Sequence, residues 1–478
     1  MRSSLEISVN PTILLYQPRC AFFTMPLGLL AVASAVDRTR VTPVIIDGSL
    51  EADPRAAIEP HLENAICFGI SVLTGAPIEE AHDISRWVKT RRPELPVVWG
   101  GWHPSLFPRE VLAETDCVDV VVRGQGECSM QELIECFLEG GDLTRVAGIA
   151  IKEKGDPSLT AARPLEPYEN LPAADYSLLP VERYFALKNR RQLDYVTSIG
   201  CHYRCRFCAD PAVFNRRRSA IPLDRVVTEL SDLAGRYGFD DVNFQDETFF
   251  SSRRWTVELS TALIARGAPF TWAATMRADQ GARLTDGDFD LLVRSGLRKL
   301  LIGVESGSAT MLEKLGKDIT LDQIQTVAER CRDHKIAATY PFIFGIPGEK
   351  SVDVEASLRL ARRLKAMYWD NTTPFFFYKP YPGSEIAQDV VLDGFELPQT
   401  LEEWSQFDYV TSSSPWVDDT TIQRVRMAGF FSQLGWGRPR WWASPIQALA
   451  RWRCCSDCYD LPIEKALIER LRPQPPLV

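Results

Sequence analysis

The first 150 residues alternate short apolar runs with helical stretches. Thr12–Tyr16, Val44–Ile46, Ala65–Val72, Pro96–Trp99 and Val118–Val122 read as strands, while Pro26–Val36 and Ile78–Thr90 between them have helical composition. Continuous apolar runs that end in Gly, Ser or Asp and are separated by helices predict a parallel sheet covered on both faces, so this part reads as a doubly wound α/β domain. Ligands of such sheets bind beyond the carboxyl ends of the strands. Those ends here are Asp47-Gly48, Ser71-Val72-Leu73-Thr74-Gly75, Gly100-Gly101-Trp102-His103 and Arg123-Gly124-Gln125-Gly126-Glu127. They are small and polar, as close backbone approach to a large flat ligand requires.

A second alternation starts at Asp194. Its strands are Asp194–Ile199, Asp241–Gln245, Phe270–Thr275, Lys299–Val304, Ala337–Phe344 and Thr373–Tyr378; its helices are Leu223–Tyr237, Arg254–Arg266, Asp286–Ser295, Leu321–His334 and Ser351–Ala366. Repeated βα units predict a full or partial βα barrel with its chemistry at the carboxyl ends of the strands. Residues 151–190 carry Pro157, Pro164, Pro167 and Pro172 among acidic residues and read as a linker. The expected organisation is therefore an α/β domain over 1–150, a linker over 151–190, a barrel over 191–385 and a small, mostly helical, aromatic-rich region over 386–478. In that last region Trp436, Trp441, Trp442 and Trp452 share one basic stretch, and Leu461–Leu471 reads as an amphipathic helix. The tryptophans are read as domain packing, with a lid over an apolar substrate or an interfacial contact as the second reading.

Composition narrows the function. At 478 residues the chain is too long for one core. Hydrophobic content of 45% and charged content of 24% exclude disordered and collagen-like classes. Lys+Arg number 54 against 63 Asp+Glu, a net charge of −9, and there is no basic run longer than Arg216-Arg217-Arg218. General nucleic-acid binding is thereby excluded as an expectation, although a modified RNA substrate stays open. Met1–Asn10 is polar and has no signal-peptide core, and no apolar stretch of about 18 residues exists to span a membrane. A cytoplasmic location is expected. The 12 cysteines are then metal ligands, catalysts or small hydrophobes rather than disulfides.

Spacing separates the cysteines. Cys201-His202-Tyr203-Arg204-Cys205-Arg206-Phe207-Cys208 offers three thiols on one tight loop directly after a strand. Three thiolates hold three irons of a four-iron cluster and leave the fourth iron open. Zinc usually takes four ligands in pairs, and no matching pair lies nearby; three unligated thiols are the other reading. Cys454-Cys455-Ser456-Asp457-Cys458 has two adjacent thiols, poorly spaced for shared ligation, and reads as structural before it reads as a second cluster. Cys20, Cys67, Cys117, Cys128, Cys136 and Cys331 read as buried or incidental thiols.

With the cysteine loop in that position, the sequence resembles the radical SAM superfamily. The resemblance implies a [4Fe–4S] cluster on Cys201, Cys205 and Cys208, with S-adenosylmethionine (SAM) bound to the open iron through its amino and carboxylate groups. It further implies that an electron from a flavodoxin- or ferredoxin-type donor passes through the cluster and cleaves SAM to methionine and a 5′-deoxyadenosyl radical. Phe207 is the aromatic before the last cysteine. Asp246 or Glu247, in Phe244-Gln245-Asp246-Glu247, is implied for the SAM amino group, and the sequence does not separate the two. Arg277 is implied for the SAM carboxylate, Glu305 and Ser306 for the ribose, and Gly345 of the Phe344–Glu349 turn for the adenine side. Each alone also reads as a turn or a helix cap.

The first domain resembles the cobalamin-binding domain that precedes the barrel in one large radical SAM subgroup. Pro26–Leu30, Ser71, Thr74, Gly100, Gly101 and Gly126 carry the likeness. The Asp-x-His-x-x-Gly motif is absent, and none of His61, His82, His103, His202 and His334 has that setting. The resemblance therefore implies cobalamin held without an axial histidine, or a domain of this fold that has lost it. His103 is read either as approaching the corrin or as a loop or capping residue. Together the two likenesses imply cobalamin-dependent methyl transfer to an unactivated carbon. In that chemistry the deoxyadenosyl radical removes a substrate hydrogen, methylcobalamin supplies the methyl group and a second SAM remethylates the cobalamin. One alternative is an oxidative cyclisation or rearrangement of the anaerobic porphyrin-ester cyclase type. Another is a non-catalytic cobalamin- or iron-responsive binding protein. The apolar segment Thr372–Pro382 and the C-terminal aromatics point to a small-molecule substrate that is large and apolar or contains rings.

Overall fold

The computed structural model describes residues 10–21, 23–392, 394–408, 414–439 and 441–471. The chain forms two compact units: Met1–Arg190 with Ala212–Asn215 and Leu397–Phe407, and Arg191–Pro211 with Arg216–Glu396 and Asp408–Val478.

The first unit is built on β1 (Thr12–Gln17), β2 (Thr42–Asp47), β3 (Ala65–Ser71), β4 (Val97–Gly100), β5 (Val120–Val122), β6 (Ile149–Glu153) and β7 (Asp156–Leu159), in the order β2-β1-β3-β4-β5-β6-β7. Pairing is parallel as far as β5, and β6 and β7 add an antiparallel edge. The continuous apolar runs follow from double-sided burial: Leu14 and Tyr16 enter one core cluster while Ile13 enters another. The segment expected as a linker thus supplies most of a hairpin. Pro157 sits on its outer strand, where a missing backbone N–H costs no sheet bond. The same unit takes in the helix Leu401–Ser405, whose Trp404 is buried in the cluster of Leu14, Phe68 and Trp99.

The second unit contains β8 (Gln192–Tyr195), β9 (Ser198–Ile199), β10 (Ser219–Ala220), β11 (Asp241–Phe244), β12 (Thr271–Arg277), β13 (Leu297–Gly303), β14 (Ala337–Thr339), β15 (Phe342–Phe344) and β16 (Phe375–Phe377). Five parallel strands run β14-β13-β12-β11-β8, and β15 pairs with β16. Bridges Glu305–Phe342 and Thr339–Thr372 carry the curvature onward, giving a partial barrel. Helices fill the crossovers, and Thr285 and Thr320 close capping boxes at the starts of Asp286–Arg294 and Leu321–Asp333.

Two expected strands are broken. Asp194–Ile199 divides into β8 and β9, because Thr197 and Ser198 turn their hydroxyls to Asp246 and β9 pairs antiparallel with β10. Ala337–Phe344 divides at Tyr340-Pro341; Pro341 has no N–H for a ladder, and its carbonyl accepts from Glu305 N at 2.9 Å.

The C-terminal region is helical: Asp419–Gly435, Ser444–Ser456 and Ile463–Leu471. Trp436 packs against Phe431, Ala450 and Cys454, as expected for domain packing. Trp441 and Trp452 do not, being 89% and 54% exposed, and the side chain of Trp442 lies outside the described residues. Among the described residues no helix is long and apolar enough to cross a membrane.

Candidate active site

In the first unit, the carboxyl ends of β3, β4 and β5 form a shelf. Ser71 closes β3 and Gly100 closes β4, joined by Val72 N donating to Gly100 O at 2.8 Å. Gly101 has φ +94, and a Cβ there would lie 2.9 Å from Val72 N and O, so glycine alone fits. Gly126 is the N-cap residue of the helix Glu127–Glu139. Ser71, Gly100, Gly101 and Gly124–Gly126 are all half-buried, leaving a strip of backbone open to a flat ligand.

Thr74 and His103 lie deeper. Both are buried, Thr74 Oγ1 is 3.3 Å from His103 Nδ1, and the imidazole packs against Phe107 at 5.2 Å and Trp404 at 5.9 Å. Burial lowers the His103 pKa to about 4, so the ring is neutral at pH 7. Its Nε2 is buried without a partner. The imidazole is thus enclosed in an aromatic cluster, and His103 lies within the helix Trp102–Leu106, whose N-cap residue is Gly101.

In the second unit the cysteine loop follows β9. Burial pushes the Cys201 thiol up to about 11 and that of Cys208 to about 12. Arg277, the last residue of β12, points Nη1 at Cys205 Sγ, 3.4 Å away, stacks 3.7 Å over Tyr203, and donates to Asp279 and to the Lys317 carbonyl. These contacts occupy three of its five N–H donors. Phe207 packs on the apolar cluster of Met311, Leu315, Ile346 and Tyr378.

The structure separates the two adjacent acids at the end of β11. Asp246 is buried and accepts from Thr197 N at 3.0 Å, Thr197 Oγ1 at 2.6 Å and Ser198 Oγ at 2.5 Å. Its carboxylate is consumed in holding β9. Glu247 instead accepts from backbone N–H groups, those of Gly200 and of Glu247 itself, in a recess whose walls push its pKa up to about 8, with Asp210 and Asp246 adding repulsion.

At the end of β13, Glu305 has φ +65 and is buried, with Oε1 accepting from Lys317 Nζ at 2.7 Å. Ser306 is wholly buried, its hydroxyl bonded to Ser357 Oγ at 3.1 Å and to Ser308 N at 3.1 Å, so it braces the turn. Gly345 has φ +73, donates to Glu349 Oε2 at 2.6 Å, and accepts from Trp416 Nε1 at 2.8 Å. A cavity of 700 Å³ opens beside it, lined by Ile346, Glu349, Val354, Val390, Phe395 and Trp416.

Two groups here escaped the sequence reading. Lys317 is one. Arg218, read only as part of a basic run, is the other: it is largely enclosed, its Nε has no partner, and its charge faces Asp246, Glu247 and Cys201. Cys454 is buried under Ala450 while Cys455 is exposed, so those thiols do not converge. Among the described residues no three His, Cys, Asp or Glu side chains gather tightly enough for a single metal ion.

Comparison with known proteins follows this geometry. Residues 195–361 match the family model of the Radical SAM superfamily, and residues 20–134 match that of the B12 binding domain. The chain belongs to the radical SAM enzymes that carry a B12-binding domain. It is similar to "Uncharacterized methyltransferase PH0819" of Pyrococcus horikoshii, 28% identical over 84% of this chain and 86% of that protein. An anaerobic magnesium-protoporphyrin IX monomethyl ester cyclase of Rubrivivax gelatinosus is 26% identical over 67% of this chain and 58% of its own length. Among solved structures, the radical S-adenosylmethionine methyltransferase TsrM of Kitasatospora setae superimposes with TM-score 0.68 at 19% identity, covering 81% of this chain and 78% of its own. That likeness is one of fold.

The family implies a [4Fe–4S] cluster, SAM and cobalamin, and the residues present fit them. The cysteine loop offers three thiols and no fourth, beside a recess holding a carboxyl bonded to backbone N–H groups and an unpartnered guanidinium Nε. The first unit offers an open glycine shelf at its strand ends, without a presented histidine.

Proposed function

We propose that the protein is a cobalamin-dependent radical SAM methyltransferase that acts on an unactivated carbon of a small, apolar or ring-containing molecule. One observation carries the reading. A three-thiol loop with an adjoining charged recess, and an open glycine shelf of B12-binding type, occur on one chain whose relatives include proteins named methyltransferases. The 1–150 and 191–385 segments act as the cobalamin and radical domains, in a cytoplasmic protein supplied with electrons by a flavodoxin- or ferredoxin-type donor. The third expectation, a non-catalytic sensor, has no use for the SAM-side residues.

When bound, the cluster supplies the electron that cleaves SAM, and cobalamin supplies a transferable methyl group. Cys201, Cys205 and Cys208 hold the cluster. Glu247 accepts from the SAM ammonium, a task that Asp246 cannot share while it holds Thr197 and Ser198. The remaining N–H groups of Arg277 and the Nε of Arg218 would serve the SAM carboxylate, and Glu305 Oε2 would serve the ribose. Phe207 and the Gly345 turn flank the adenine. Ser71, Thr74, Gly100, Gly101 and Gly126 form the corrinoid shelf. The cavity beside Phe395 and Trp416 receives the substrate.

The test is anaerobic. Protein reconstituted with iron, sulfide and hydroxocobalamin is given SAM and a strong reductant, and nucleosides are measured by mass spectrometry. Methyl transfer predicts S-adenosylhomocysteine together with 5′-deoxyadenosine, both abolished in Cys205→Ala. Deoxyadenosine alone, without homocysteine product at any substrate tried, would favour the cyclase reading. Zinc in place of a cluster would end both.

A further inference from the structure

The turn after the helix Ala309–Lys314 holds the cysteine loop in place. Leu315 O accepts from Arg206 N at 2.8 Å and Lys314 O from Arg206 Nη1 at 3.3 Å. Gly316, at φ +59, lies so close to the loop that a Cβ would sit 2.9 Å from Arg204 O. Asp318 takes the Arg204 guanidinium at 2.8 and 2.9 Å. Lys317 lies at the centre of this turn and is 6% exposed. Its Nζ is 2.7 Å from Glu305 Oε1 and 5.5 Å from the centre of the Phe207 ring, and its carbonyl accepts from Arg277. Gly303 leaves room for the pair, since a Cβ there would lie 2.6 Å from both Lys317 Nζ and Glu305 Oε1.

A buried ion pair adds little net stability. Glu305 adds a second cost, because a non-glycine residue at positive φ is strained. Both costs fall on one residue at a strand end beside the cysteine loop, where strain marks function. We propose that Lys317 is a positioning residue for SAM and for the cluster. It engages Glu305 Oε1 and so turns Oε2 to a ligand, and it sets a fixed positive charge beside Cys205 and Phe207 that favours the reduced cluster. The inference rests on the reading of Glu305 as a SAM ligand.

The test compares Lys317→Met, Lys317→Arg, Gly303→Ala and Glu305→Gln in protein reconstituted with iron and sulfide. Iron content, SAM Kd and the cluster midpoint from an EPR-monitored redox titration are measured. Lys317→Met is expected to keep its iron, bind SAM about tenfold more weakly, the size of one charge-assisted hydrogen bond, and show a more negative midpoint. Lys317→Arg restores the midpoint. Gly303→Ala keeps every charge but dislodges the pair, so it weakens SAM binding and moves the midpoint less than Lys317→Met does. Unchanged Kd and midpoint in Lys317→Met, with Glu305→Gln impaired, overturns the inference alone. Unchanged Kd in Glu305→Gln overturns the reading beneath it. Should Lys317→Met not fold, Gly303→Ala decides: unaltered SAM affinity there overturns the positioning role.

Discussion

Asp246 and Glu247 are neighbours of the same chemistry, and the structure assigns them opposite roles, so one pair of substitutions tests the site. Asp246→Asn removes a charge that three donors share at 2.5 to 3.0 Å. A hydrogen bond to a charged group contributes roughly 1.5–3 kcal/mol. Asparagine keeps one acceptor oxygen, and the ionised carboxylate already bears a desolvation cost that raises its pKa, so the net loss is about 3 kcal/mol. In a unit of this size 1 kcal/mol shifts Tm by roughly 2–4 °C, so Asp246→Asn should lower it by about 6–12 °C. Glu247→Gln keeps an acceptor oxygen for the backbone N–H groups of Gly200 and Glu247, so its Tm should stay within about 2 °C of wild type. It should nevertheless bind SAM roughly ten- to a hundredfold more weakly through loss of the ammonium contact. Calorimetry of the iron-loaded proteins and SAM titration in the same buffer read both quantities. A Glu247→Gln protein that melts early, or that binds SAM like wild type, refutes the assignment.

Other outcomes follow from single residues. Gly101→Ala forces a positive φ and a 2.9 Å clash with Val72 backbone, so it should cost about 2 kcal/mol or more and lower the amount of cobalamin retained on gel filtration. Glu349 is pushed by burial to about 7 from 4.5, so it is protonated in the folded chain where the unfolded chain is ionised. That contribution is fully present below pH 4.5 and is lost as pH rises to 7, and Glu349→Gln should flatten the decline of Tm over this window. Trp404→Ala opens a cavity beside His103 and Phe107 and should destabilise the first unit by roughly 3–5 kcal/mol, read by denaturant titration of tryptophan fluorescence.

The features legible in the sequence were those fixed by local spacing. CxxxCxxC lies within one loop, the strand-end glycines answer a local φ, and alternation of apolar runs with helices announced both sheets. What required the fold was pairing over distance. Nothing in the order of Asp246 and Glu247 shows that the chain entering β9 supplies Thr197 and Ser198 to the first and not the second. Lys317 looks like any lysine near a helix end until Glu305, 12 residues away, takes its ammonium. Proline-rich composition suggested a linker over 151–190, because a hairpin on a sheet edge tolerates Pro157 as readily as a loop does. The tryptophans divided: Trp436 packs while Trp441 and Trp452 are exposed, because a local aromatic stretch does not state which rings meet a partner.

Trp404 has a consequence for how the chain is made. The first unit begins at the N-terminus, yet its core includes Leu401 and Trp404, which leave the ribosome after the Arg216–Glu396 segment of the cysteine-loop unit has been translated. At about 5–20 residues per second, the roughly 200 intervening residues take on the order of 10–40 s. For that interval Phe107 and its neighbours wait without their last partner. Completion of the first unit therefore waits on translation of most of the second, and a ribosome that stalls before Trp404 leaves an unfinished, adhesive core.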